Sequence, residues 1–187
     1  MDTKIIQRTI YYHCKGKQNF MVSNKHLHAW HECDFISISK ADYLTEYEIK
    51  VSKSDYKRDF IAKKVKHAWF EGKRNGDILI ESSETLKETI VDQFTPNFMG
   101  IQQTVDMTPY RGPNYFYYIC PENLIALEEI PDYAGLIYVA DYNKRVGKLT
   151  FIKKAPILHK NKTQDDVKMN IMTRYMYEYW KNTYEKR

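Results

Sequence analysis

Hydrophobic and polar residues alternate most cleanly between residues 31 and 51. Cys33-Asp34-Phe35-Ile36-Ser37-Ile38 has the two-residue period of a half-buried strand, and so does the run from Tyr43 to Val51 (YLTEYEIKV). Lys40-Ala41-Asp42 between them supplies a turn, so the pair predicts a β-hairpin. On its second strand Tyr47, Ile49 and Val51 point one way, and Glu46, Glu48 and Lys50 the other. The same alternation sorts the first strand into His31, Cys33 and Phe35 against Glu32, Asp34 and Ile36. Ser52 or Ser54 can cap a following helix, with Asp55 placing charge in its first turn. That helix is expected to run on through Phe60, Ile61 and Val65 to about Trp69.

The remaining elements are read from the same signals. Residues 3–12 (TKIIQRTIYY) leave helix and strand open, because Ile5, Ile6 and Ile10 fit a helical face only loosely and the β-branched content favours a strand. Gly16 closes that segment, and residues 19–24 form a short extended piece. Residues 71–112 are expected to be an insertion, with residues 77–81 and 89–91 as paired strands and loops at Thr95-Pro96-Asn97, Gly100 and 109–113. Tyr115 to Cys120 is apolar on both faces, as in a buried central strand. Pro121 is expected to open a short helix over PENLIALEEI. Ala134 to Ala140 and Lys148 to Lys153 follow as strands. A closing helix from Thr163 to Tyr184 carries Val167, Ile171, Tyr175 and Tyr179 on one side. Strands, helix and strands in this order predict one α/β domain around a mixed central sheet.

Length and composition agree with a single folded domain. The 187 residues can bury a sizeable core, and 43% apolar with 28% charged residues is ordinary for a globular protein. Sixteen tyrosines suit sheet cores, interfaces and base stacking alike. A net charge of +5 favours an anionic partner without demanding nucleic acid. Three scattered cysteines argue against a disulfide scaffold. With no leader-like N-terminus and no apolar run near 18 residues, a cytoplasmic protein is expected.

The hairpin also carries the candidate chemistry. Asp34 on one strand and Glu48-x-Lys50 on the next bring two carboxylates and an ammonium to one place. Hard oxygen ligands of this kind suit magnesium, or manganese in its place, with several waters retained. Asp34, Glu48 and the backbone carbonyl of Ile49 would form the ligand set, and Glu32, two residues from Asp34, could add to it. Lys50 shares the face of Glu48 and can reach an attacking water or a scissile phosphate. The competing explanation is that Glu46, Glu48 and Lys50 are the solvated face of an edge strand.

An acidic residue followed by Glu-x-Lys on the next strand is the signature of the PD-(D/E)XK nuclease superfamily. EYEIKVSKSDYKRDF resembles the EIK-x-S-x-x-DF pattern of the MmcB-like DNA-repair nucleases within it. The downstream run NYFYYICPENL, IPDYAGLIYVAD and FIKKAP is similar to that family's aromatic strand, Pro-containing turn and Gly-Leu-Ile strand. The resemblance covers roughly residues 31–70 and 114–157. It implies a restriction-endonuclease-like core and a catalytic trio of Asp34, Glu48 and Lys50. It further implies metal-dependent cleavage of DNA in repair or mobile-element processing, and it is compatible with a homodimer. Many superfamily members carry an acidic residue on the helix before the first core strand, whereas here the only acids before Asp34 are Asp2 and Glu32.

Lys53, Lys57, Arg58, Lys63, Lys64, Lys66 and His67 form the expected basic, exposed helix face and would track a phosphate backbone. Asp55 reads as a helix-start residue and Asp59 as a partner for nearby bases. His26, His28, His31 and Cys33, with His13 and Cys14 upstream, hold enough nitrogen and sulfur for zinc, but the spacing matches no finger. There is no phosphate-binding glycine loop and no G-x-S-x-G elbow. Three functions stay open: a nuclease, a nuclease-fold DNA-binding module without cleavage, and an interaction protein with a merely solvated strand face.

Overall fold

The computed structural model describes residues 2–26, 32–75, 112–143 and 145–185. The expected strands at 77–81 and 89–91 lie outside the described residues, as do His28 and His31 of the zinc constellation.

Helix α1 (Thr3–Cys14) settles the ambiguity at the N-terminus. Asp2 caps it, its side chain accepting the Lys4 N–H at 3.2 Å. Ile6, Ile10 and Cys14, spaced four apart, are all buried, so this i, i+4 stripe decides the helix over the β-branched content. Six strands follow in one sheet: β1 (Gln18–His26), β2 (Glu32–Ser39), β3 (Leu44–Ile49), β4 (Tyr115–Pro121), β5 (Gly135–Asn143) and β6 (Val146–Lys153). Their spatial order is their chain order. β3, β4 and β5 run parallel, and β1, β2 and β6 extend the sheet antiparallel at its two sides. The architecture is therefore α/β with a mixed six-stranded sheet flanked by helices.

Two apolar layers cover the sheet. Phe35, Tyr47, Ile49, Ile119, Ile137 and Val139 pack with α1 on one face. Ile36, Ile38, Phe116, Tyr118, Cys120 and Leu136 pack on the other with helices α2 (Lys53–Ala62) and α3 (Lys64–Asn75). The expected single helix to Trp69 is thus two helices. The backbone leaves the helical region at Lys63 (φ −117°, ψ 36°), and α3 then runs on through residues 71–75 of the expected insertion.

Other expectations are corrected by tertiary context. Pro121 completes β4 opposite Val139, and PENLIALEEI makes only a short 3-10 turn at Leu127–Glu129. Asn123 at positive φ (59°) turns the chain there, which a helix would not allow. Cys33 lies in the layer of Ile36 while Phe35 lies in that of α1, so the alternation breaks at Asp34. The last helix, α4 (Asp165–Trp180), buries Ile171 and half-buries Val167, but Tyr175 and Tyr179 are exposed. Among the described residues, no helix is long and apolar enough to cross a membrane.

Gly135 marks where β5 meets its surroundings most closely. A Cβ there would run into the Tyr117 ring and come within 2.6 Å of the Ala155 backbone nitrogen. Backbone cannot yield as a flexible side chain can. Gly135→Ala is expected to destabilise the fold by about 1–3 kcal/mol in urea unfolding, with an unchanged denaturant slope.

Candidate active site

The alternation of β3 sends Glu46, Glu48 and Lys50 to the face covered by α2 and α3. All three are buried, Glu46 at 0% and Glu48 at 2% exposure. β3 is a central strand between β2 and β4, so its charged face is not the solvated face of an edge strand. Burying carboxylates without partners would cost several kcal/mol each, and the helices supply the partners.

Glu48 receives three ammonium groups. Lys50 Nζ is 2.9 Å and Lys63 Nζ 2.6 Å from Oε1, and Lys66 Nζ is 3.0 Å from Oε2. Lys66 also pairs with Glu46 and lies 4.9 Å from the Phe116 ring centroid. Lys50 makes a second ion pair of 2.8 Å to Asp59 Oδ1, which Lys63 approaches at 3.5 Å. The other Asp59 oxygen accepts from the Tyr118 hydroxyl at 3.1 Å and lies 3.0 Å from His67 Nε2. His67 Nδ1 in turn lies 2.7 Å from the Tyr133 hydroxyl. Three carboxylates and three ammoniums thus form one connected, charge-balanced network.

The charge balance sets the proton affinities. Burial alone would raise Glu48, but Lys66, then Lys63 and Lys50, hold it down to about 2. Asp59 is likewise held well below the usual carboxylate range against its own burial, by His67, Lys50 and Lys63. Lys50 stays charged despite burial because Glu48 and Asp59 face it.

Asp34 stands at the border of this network. Its Oδ2 accepts the Ile49 N–H at 2.7 Å, which ties β2 to β3 beyond their last paired residues. Burial, and then the neighbouring charge of Glu48, raise its carboxyl to about 6. Asp34, Glu48, Ile49 and Lys50 line one cavity of about 320 Å³ with Thr3, Asp55, Arg58, Asp59, Ala62 and Lys63.

The structure therefore brings together Asp34, Glu48, Lys50 and Ile49, although it is the Ile49 N–H that faces Asp34. Glu32 is exposed at the start of β2, opposite His26, and does not line this cavity. Lys53, Lys57, Arg58 and Lys64 are exposed, and Lys63 is half-buried at the cavity. Lys66 and His67, expected on the exposed basic face, are corrected: both are buried in the network. Asp59 does partner bases, as expected, and together with Glu46 and Tyr118 it belongs to the buried network. A signal for this was present, because Asp59, Lys63, Lys66 and Phe70 follow a three-to-four-residue stripe. Cys14 and Cys33 lie in different core layers, which separates two of the zinc candidates.

Magnesium was expected from the hard oxygen donors of the hairpin. Asp34 and Glu48, which line one cavity, are hard oxygen donors of the kind that would hold magnesium with most of its waters, and Glu48 carries lysine ammoniums on both oxygens. A cluster of three or more His, Cys, Asp or Glu side chains able to enclose a metal is absent among the described residues.

Two outcomes follow from the electrostatics. Lys66→Met removes an ammonium from two buried carboxylates, and is expected to cost about 3–5 kcal/mol in urea unfolding. Adding Glu46→Gln should recover part of that loss. The raised Asp34 carboxyl gives the opposite sign: its ionisation is disfavoured in the folded chain above pH 6, and below pH 4 it is protonated folded or unfolded. Asp34→Asn is therefore expected to stabilise the protein by about 1–2 kcal/mol at pH 8, with the gain vanishing as pH falls from 6 to 4.

Comparison with known proteins gives a fold and no more. No family model matches the chain, and no curated protein matches it. Among solved structures, the SPO1766 protein of Silicibacter pomeroyi, of unknown function, is similar with a TM-score of 0.61. The match covers 100% of this chain and 96% of that one at 11% sequence identity.

Proposed function

We propose that this protein is a divalent-metal-dependent nuclease acting on DNA, with a restriction-endonuclease-like core of the PD-(D/E)XK type. One observation carries the reading: Asp34 from β2 and Glu48 and Lys50 from the end of β3 line a single cavity. Magnesium or manganese bound to Asp34 and Glu48 would polarise the scissile phosphoryl group and acidify a water.

The chain's own residues do the rest. Lys50 is held between Glu48 and Asp59, so its ammonium keeps both its charge and its position. From there it orients the attacking water and offsets charge developing on the phosphoryl oxygens. Tyr118 and His67 fix Asp59, and through it Lys50. Lys53, Lys57, Arg58 and Lys64, exposed on α2 and α3, would follow the DNA backbone and orient it toward the cavity. Roles in DNA repair or in mobile-element processing both suit such a protein.

A second reading is a DNA-binding module that keeps the fold without cleaving. The observation favouring it is that Glu48 already holds three ammoniums, an arrangement that is self-sufficient without a metal.

The deciding experiment is cleavage of plasmid and single-stranded DNA with magnesium or manganese, wild type beside Lys50→Ala. Cleavage is expected, falling by about 10²–10³ in the variant with circular dichroism intact. No cleavage by the wild type, with salt-sensitive DNA binding weakened by neutralising Lys57 and Lys64, would establish the binding module instead.

A further inference from the structure

The three cations on Glu48 are not equivalent. Lys50 and Lys66 side chains are 5% and 0% exposed, whereas that of Lys63 is 21% exposed and lines the cavity. Lys50 and Lys66 each have a second close carboxylate, Asp59 and Glu46, at ion-pair distance. The second contact of Lys63, to Asp59, is a looser 3.5 Å. Lys63 also sits at the break between α2 and α3, where the backbone has already left the helical region. Of the three lysines on Glu48 it is the most exposed to water.

We infer that Lys63 is an internal counter-cation standing where a divalent metal would act, and that its displacement sets the metal affinity of the site. This rests on the reading of Asp34 and Glu48 as metal ligands. The argument is one of charge. Glu46, Glu48 and Asp59 are matched by Lys50, Lys63 and Lys66, so a dication added beside Asp34 and Glu48 meets a Glu48 already neutralised, with the Lys63 ammonium on the same oxygen as Lys50. A dication and that ammonium repel strongly at such range. One cation has to leave, and Lys63 is the one with the weakest second contact and a path to solvent. Without the metal, Lys63 keeps Glu48 neutralised; with it, Lys63 is released to the cavity mouth.

The test is manganese binding, read by electron paramagnetic resonance of the free ion, for wild type, Lys63→Met and Asp34→Asn. Lys63→Met is expected to bind manganese at least about tenfold more tightly than wild type, as loss of a competing unit charge requires. Loss of a merely structural lysine would weaken binding or leave it unchanged. In the wild type, acylation of the Lys63 amine followed by mass spectrometry is expected to rise at saturating manganese. Equal or weaker binding by Lys63→Met, abolished by Asp34→Asn, would overturn the inference and leave the metal site standing. Manganese binding by neither folded wild type nor folded Lys63→Met would overturn both. Should Lys63→Met not fold, the acylation of the wild type decides: an unchanged or reduced reactivity of Lys63 overturns the inference.

Discussion

The structure depends on the burial of a charged strand face. β3 lies in the middle of the sheet, and one of its faces presents Glu46, Glu48 and Lys50 to α2 and α3. Those helices can cover it only by returning charge of the opposite sign. Lys63 and Lys66 do so, and Asp59 answers Lys50 in the same way. The helix break at Lys63 belongs to this solution, since it lies between the two turns that deliver Asp59 and Lys66. Around the ions, Phe60, Phe70, Phe116, Tyr118 and Tyr133 pack against His67 or one another and keep water out.

A buried ion network is an unfavourable way to gain stability, because apolar residues of the same volume would often do as well or better. Its presence on the central strand therefore asks for another reason. Carboxylates with opposite proton affinities offer one: Glu48 is held at about 2 while Asp34, a strand away, is pushed up to about 6. Such divergence between neighbours is what burial and fixed charge produce at sites of chemistry, and structural networks can produce it as well. Here Asp34, Glu48 and Lys50 also line one cavity together.

Much of the framework was legible from local patterning. The hairpin of β2 and β3, the buried strands β4 and β5, and a helix cap at Ser52 or Ser54 follow from two-residue alternation, apolar runs and side chains that accept backbone N–H groups. Ser52 is the cap used, its hydroxyl accepting the Asp55 N–H at 3.1 Å. Where local signals competed, packing chose. Residues 3–12 became a helix because Ile6, Ile10 and Cys14 find the sheet. Residues 121–130 did not, because Pro121 is needed at the end of β4 and Ile125 is buried by a turn.

The site divides along the same line. By itself, the sequence determined that Asp34, Glu48 and Lys50 share a hairpin and that a lysine-rich helical segment follows, because strand alternation and helix caps are properties of neighbouring residues. It could not assign the lysines. Lys64 and Lys66 look alike in the chain, yet one is in water and the other is fully buried on two carboxylates. Only the tertiary structure decided that, because a lysine's surroundings depend on which face of a helix meets which strand. It alone also broke the alternation at Asp34, where a hydrogen bond to the Ile49 N–H turns the carboxylate toward the neighbouring strand.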